Sequence, residues 1–264
     1  MPVCVFNNAG GADAKALERF GEPAWNNPIV RFLDGRGVDL IERQDGVWSE
    51  AALVGRMGEA LAAAKVTVPR WFDLALLEAR AKKAERAVFS MHCFWEGQAR
   101  LGGLDGVLDA VPAFLDGREV VDVRYDPQRI ALRDLATVAA EFDCARDVYL
   151  PREADLASLP EQLRARGKVL AGEVRRAPDS DDLRSLKRMR ELDLLPLTRA
   201  QAIRVNSELA ATNATRPGTL TPRQEALRAR IAATKPELLA ELARPTAPAN
   251  LGAHEDALRA RLER

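Results

Sequence analysis

The spacing of apolar and polar positions changes several times between residues 70 and 142, and each change marks a predicted element. Three short apolar or alternating runs are typical of strands, at 87–91, 107–114 and 119–127. Three segments have the spacing of amphipathic helices, at 70–85, 93–104 and 131–142. Asp116-Gly117 predicts a tight turn between the second and third strands. The resulting β-α-β-β-α order predicts an α+β sandwich.

The first 68 residues alternate strand-like and helix-like runs. Strands are predicted at 3–6, 29–34 and 38–44, and helices at 12–21 and 49–64. This order resembles the C-terminal part of a thioredoxin fold, with Pro28 at the position of that fold's cis-proline. We therefore interpret 1–68 as a partial thioredoxin-like α/β segment, or more plainly as a small α/β scaffold. The chain has no Cys-x-x-Cys motif, so we expect no dithiol oxidoreductase activity from this segment.

Beyond about residue 150 the chain becomes polar, Arg-rich and helical in its spacing. Pro222 and Pro236 stand where first helical positions are expected, and residues 243–253 are typical of a loop. We predict a helical C-terminal extension over 151–264, after a core domain at 69–150. The extension is interpreted either as a partner-binding arm or as a helical cap over the core.

The charge is balanced, with 39 Lys and Arg against 39 Asp and Glu, so we expect neither a nucleic-acid nor a membrane partner. The chain lacks a signal-like start and a run of about 18 apolar residues. We expect a cytoplasmic protein, although an export signal could precede the strand-like start.

Cysteines are few, and only Cys4, Cys93 and Cys144 are present. An odd, sparse set does not make a disulfide framework and fits a reducing compartment. The two histidines, His92 and His254, lie far apart, and no Cys/His set has the spacing of a zinc site. We expect no metal.

Cys93-Phe94-Trp95 stands at a predicted strand-to-helix junction, and Leu104-Asp105-Gly106-Val107 follows that helix. These motifs resemble the catalytic core of the peptide methionine sulfoxide reductase A family over roughly residues 87–142. The resemblance implies that Cys93 is the nucleophile and that Phe94 and Trp95 hold the substrate methyl group. A helix N-terminus favours thiolate, which is the attacking form. The alternative is that Cys93 is a small buried apolar residue beside two core aromatic residues.

Glu119 precedes Val120-Val121, where the family has its acidic residue. The resemblance implies that Glu119 protonates the departing sulfoxide oxygen, for which a general acid is needed. The alternative is an ordinary glutamate at the end of a strand.

The sequence departs from the family at three places. His92 stands where the family has glycine, Phe114 stands where it has a tyrosine of the substrate pocket, and a long loop with a second tyrosine is absent. Loss of a donor to the substrate oxygen can lower the rate about 10²–10³-fold. Asp147 and Tyr149 are candidates to replace the missing donors.

Cys144 is the candidate resolving cysteine for a sulfenic acid at Cys93, or else a packing residue at a helix end. The resemblance implies oxidised methionine as substrate, thioredoxin or another dithiol as reductant, and no organic cofactor. A degenerate binding or scaffold protein and a peroxide-sensing thiol protein are the alternatives.

Overall fold

The computed structural model describes residues 3–23, 25, 28–79, 81–239 and 251–262. The chain divides into two compact units, Met1–Val68 and Pro69–Arg264. It contains both helices and a largely antiparallel sheet, which is consistent with the predicted α+β class.

The described residues of the first unit form two helices and two very short strands. These are α1 (Ala12–Phe20), β1 (Ile29–Val30), β2 (Gln44–Asp45) and α2 (Glu50–Ala63). The strand predicted at 3–6 is not formed, and Cys4 in that stretch is exposed. Among the described residues of this unit only Ala60 is buried, so the apolar run has no core to join. The thioredoxin-like arrangement stays a prediction.

The second unit contains one six-stranded sheet. Its strands are β3 (Glu85–Ser90), β4 (Val107–Leu115), β5 (Arg118–Tyr125), β6 (Asp147–Leu150), β7 (Gly167–Val169) and β8 (Arg175–Arg176). Their order across the sheet is β7-β6-β3-β5-β4-β8, and only the β6–β7 pair is parallel. The β4–β5 hairpin turns through Asp116 and Gly117, both with positive φ, as a two-residue primed turn requires.

The helices of this unit vary widely in length. They are α3 (Arg70–Ala79), α4 (Phe94–Gly102), α5 (Leu132–Glu141), α6 (Glu161–Arg164), α7 (Arg184–Lys187), α8 (Arg190–Asp193), α9 (Arg199–Thr212), α10 (Pro222–Ala233), α11 (Pro236–Leu239) and α12 (Leu251–Leu262). Short 3₁₀ turns lie at 81–83, 153–158 and 179–181. Most of the loop predicted at 243–253 lies outside the described residues.

The region after residue 150 shares the core of the sheet. It adds β7 and β8 to the sheet, and its buried leucines belong to the same apolar cluster as Phe89 and Leu101. Helix α9 packs against both α4 and β4. The structure therefore differs from a purely helical extension, because short strands close both edges of the sheet.

Within the described part of the chain, no helix is both long enough and apolar enough to cross a membrane.

Candidate functional site

Strands β6, β3 and β5 lie side by side in the sheet, and each of them begins or ends at the same end of the sheet. The predicted catalytic residues lie at this end. β3 ends three residues before Cys93, β5 begins one residue before Glu119, and β6 begins three residues after Cys144. Because β3 pairs with both β5 and β6, these distant parts of the sequence meet at this end of the sheet.

Cys93 is half-buried and is the N-cap residue of α4. The next backbone N–H, that of Phe94, donates to Glu119 Oε2 at 2.8 Å. Gly97 allows α4 to lie close to the end of β3, since a Cβ atom there would overlap Met91 Sδ. The thiol and the carboxyl group thus share the positive end of one helix dipole.

A cleft of about 480 Å³ opens beside Glu119 and reaches His92, the residue before Cys93. Its lining comes from the ends of the three strands, and it comprises Ser90, Met91, His92, Arg118, Glu119, Arg146 and Asp147. The predicted donor candidate Asp147 is therefore at the cleft. The hydroxyl of Tyr149 donates to Asp147 Oδ2 at 3.4 Å.

The predicted substrate-binding aromatic residues form one cluster on α4 and β4. The ring of the buried Phe94 lies 5.6 Å from that of Trp95 and 5.4 Å from that of Phe114. Trp95 is 37% exposed, and its indole N–H donates to Asp181 at 3.1 Å. The guanidinium carbon of Arg184 lies 3.8 Å from the centre of the Trp95 ring. Part of the face expected to receive the methyl group is therefore in contact with Arg184.

Cys144 is only 2% exposed, and its thiol donates to the Phe142 carbonyl at 3.3 Å. Burial, together with the negative charges of Glu96 and Asp143, raises the pKa of Cys144 to about 11. Cys144 packs as a helix-end residue, and its role in resolving a sulfenic acid stays a prediction.

A buried polar network supports the back of α4. Gln98 donates to the Ala110 carbonyl at 2.8 Å and to Asp182 at 2.6 Å, and it accepts from the Leu183 N–H at 2.9 Å. Burial alone would raise the pKa of Asp182, but hydrogen bonding and the charge of Arg199 hold it below its usual value. These bonds fix α4 relative to the sheet.

Four further residues of this region were not predicted from the sequence, namely Arg118, Arg146, Asp181 and Arg184. Arg118 could have been found as the direct neighbour of Glu119, whereas Arg184 lies 89 positions after Trp95 and has no local signal. In the described ranges, no three His, Cys, Asp or Glu side chains group in a way that could hold a metal ion.

No known protein-family model matches the chain. A stretch of 78 residues is 31% identical to the peptide methionine sulfoxide reductase MsrA 2 of Rhizobium meliloti (strain 1021). The stretch covers 24% of this chain and 39% of that protein, so the chain spans less than half of the relative's length. The similarity supports a distant relationship to this class of reductase and, in coarse terms, a redox function.

Proposed function

We propose that this protein reduces the S epimer of methionine sulfoxide, in peptides or as the free amino acid, with Cys93 as nucleophile. One observation carries the proposal: the 2.8 Å hydrogen bond from Phe94 N–H to Glu119 Oε2, beside Cys93 at the start of α4. A thiol next to a carboxyl group supplies both the nucleophile and the general acid that sulfoxide reduction needs. The distant similarity to a reductase of this class is independent support.

In the proposed reaction the Cys93 thiol passes its proton to Glu119, and the thiolate attacks the substrate sulfur. Glu119 returns the proton to the sulfoxide oxygen, which is transferred to the Cys93 sulfur. Thiol and sulfoxide thus give sulfenic acid and sulfide. Two electrons pass from the cysteine sulfur to the substrate sulfur, and atoms and charge balance without another reactant.

The aromatic cluster is the proposed site for the substrate methyl group. The buried Phe94 packs against the partly buried Phe114, and Trp95 presents a partly exposed ring. We place the methyl group at the part of the Trp95 ring that Arg184 leaves uncovered. Phe114 then contributes apolar contact but no hydroxyl donor to the oxygen.

For regeneration, the Cys144 thiol attacks the sulfenic acid, giving a Cys93–Cys144 disulfide and water. A dithiol such as thioredoxin then reduces the disulfide. Since Cys144 is buried, this step requires the segment between α5 and β6 to open.

A scaffold that kept the fold without catalysis is the second candidate. Two observations favour it: Phe114 offers no hydroxyl, and Arg184 lies over the Trp95 ring. This candidate predicts no turnover and a Cys93 of ordinary reactivity. A peroxide-sensing thiol would instead form a sulfenic acid without any sulfoxide.

The test is a single-turnover reaction of prereduced protein with a peptide containing the S epimer, followed by a count of methionine and of remaining thiols. We expect one methionine per protein and the loss of two thiols. Cys144→Ser should still give one methionine, with a sulfenic acid trapped at Cys93 by dimedone. No methionine, with Cys93 open to alkylation, would refute the proposal and favour the scaffold.

A further inference from the structure

Two arginines line the cleft together with Glu119 and with His92, the residue before Cys93. Arg118 is adjacent to Glu119 in β5, and the Arg146 backbone N–H donates to the Ser90 carbonyl at 2.9 Å. The sheet therefore fixes the backbone of both residues. Their side chains are 65% and 55% exposed, so both guanidinium groups are accessible to a ligand in the cleft.

The carboxylate of Asp147 cannot neutralise the cations around it. Its Oδ2 lies 3.0 Å from Arg118 Nη1, and its Oδ1 lies 2.8 Å from Lys168 Nζ. The hydrogen bond to Asp147 raises the pKa of Lys168. One carboxylate thus faces two positive charges, and a net positive charge remains at this wall of the cleft.

Arg146 has only a weak ionic partner. Its guanidinium lies 3.7 Å from Asp143, and that carboxylate is 78% exposed, a geometry in which ion pairs contribute little. The remaining carboxyl group of the cleft is that of Glu119, which already accepts the hydrogen bond from the Phe94 N–H. The Arg146 guanidinium group can therefore pair with an anion in the cleft.

We propose that Arg118 and Arg146 bind the α-carboxylate of methionine sulfoxide, either as the free amino acid or as the last residue of a peptide. This inference rests on the proposed function, since it specifies the substrate of the same site. A planar guanidinium group matches a carboxylate through two parallel hydrogen bonds. The cleft volume lies within the range of small-molecule sites, roughly 300–1,000 Å³. An internal residue of a peptide has no α-carboxylate to offer.

The first test measures the charge of the cleft without using reductase activity. In Cys4→Ser protein, Cys93 is alkylated either with anionic iodoacetate or with neutral iodoacetamide. Peptide mass spectrometry gives the ratio of the iodoacetate rate to the iodoacetamide rate. We expect Arg118→Gln/Arg146→Gln to lower this ratio about fivefold and salt to lower it in the parent protein. Arg124→Gln is the matched control, because Arg124 is exposed on the same strand.

The second test compares N-acetylmethionine sulfoxide with its neutral methylamide in single-turnover reduction. The parent protein and the Arg124→Gln control should prefer the acid about fivefold or more, and the double variant should lose that preference while still reducing the amide. The reduction rates of free methionine sulfoxide and of a peptide ending in methionine sulfoxide are then compared. The faster of the two identifies whether the carboxylate comes from the free amino acid or from a peptide C-terminus.

The outcomes distinguish the two proposals. Equal rates for acid and amide, or an alkylation ratio that the double variant leaves unchanged, would overturn the carboxylate site and leave the reductase intact. Reduction of neither compound by the parent protein would refute the reductase, and the substrate assignment with it.

Discussion

The end of β3 and the end of α5 each carry a cysteine to the same edge of the sheet, in opposite surroundings. Cys93 is half-buried at a helix N-terminus, and the next backbone N–H binds the carboxyl group of Glu119, which lines an open cleft. Cys144 is 2% exposed, hydrogen-bonded to a carbonyl and part of the apolar core cluster. Burial and nearby carboxylates raise the pKa of Cys144 to about 11.

The two thiols are chemically identical, and they differ because the fold places them in different surroundings. Free backbone N–H groups and solvent access favour a reactive thiolate, whereas burial keeps a thiol protonated. These surroundings agree with the proposed role of Cys93 as nucleophile. The buried Cys144 is expected to stay protonated and to react only after the structure opens.

The largest effect is expected from removing the nucleophile. Cys93→Ser should lower sulfoxide reduction by at least about 10³-fold, since a neutral hydroxyl cannot accept the oxygen as a sulfenic acid. Single-turnover assays measure this change. Cys4→Ser is the control and should keep full activity, because Cys4 lies in the other unit. Full activity of Cys93→Ser would mean that Cys144 can replace it.

Neutralising the carboxyl group of Glu119 should change the alkylation rate of Cys93 and the rate of sulfoxide reduction in opposite directions. In Glu119→Gln an amide oxygen can still accept from Phe94 N–H, but the acid is lost, so reduction should fall about 10²-fold or more. Alkylation of Cys93 by iodoacetamide should instead rise by about two- to fivefold, because a negative charge leaves the helix N-terminus. A fall in both rates would point to damage to the helix start and not to the loss of an acid.

The two thiols should differ in alkylation rate by about 10²-fold near pH 8, with Cys93 the faster. Cys144 should react appreciably only as the pH approaches about 11. Peptide mass spectrometry after timed alkylation measures both sites. Equal rates would contradict the buried position of Cys144.

The raised pKa of Cys144 also fixes the sign of a stability change. The folded-state pKa lies above the usual value of 9.0, so the protonated thiol stabilises the folded state fully below about pH 9. This contribution is lost as the pH rises through about 11. The free energy of unfolding of Cys144→Ala should therefore fall less over this interval than that of the parent, as denaturant titrations would reveal.

A smaller effect concerns the support beneath Cys93. Gln98→Met should cost about 1–3 kcal/mol of stability, because Asp182, the Ala110 carbonyl and the Leu183 N–H would lose a buried partner. Thermal or urea unfolding measures this loss. Gln128→Met, at an exposed position, should change stability by less than about 0.5 kcal/mol. Equal effects at the two positions would show that the network does not hold α4.

The sequence alone determined the order of elements between residues 85 and 142. Strand alternation, the Asp116-Gly117 turn and helical spacing are local patterns, and β3, α4, β4, β5 and α5 follow them. The same patterns placed Cys93 at the start of a helix and Glu119 near the start of a strand. Local rules failed at 3–6, because an apolar run forms a strand only where a neighbouring strand or core can receive it.

Only the tertiary structure decided which of these residues meet. The bond between Phe94 and Glu119 spans 25 positions, and it depends on the pairing of β3 with β5. The burial of Cys144, the arginines of the cleft and the contact of Arg184 with Trp95 depend on segments that are distant in sequence. Such contacts form when apolar surfaces from the whole unit pack into one core. The free energy of that packing depends on residues distant in sequence, so local spacing does not encode it.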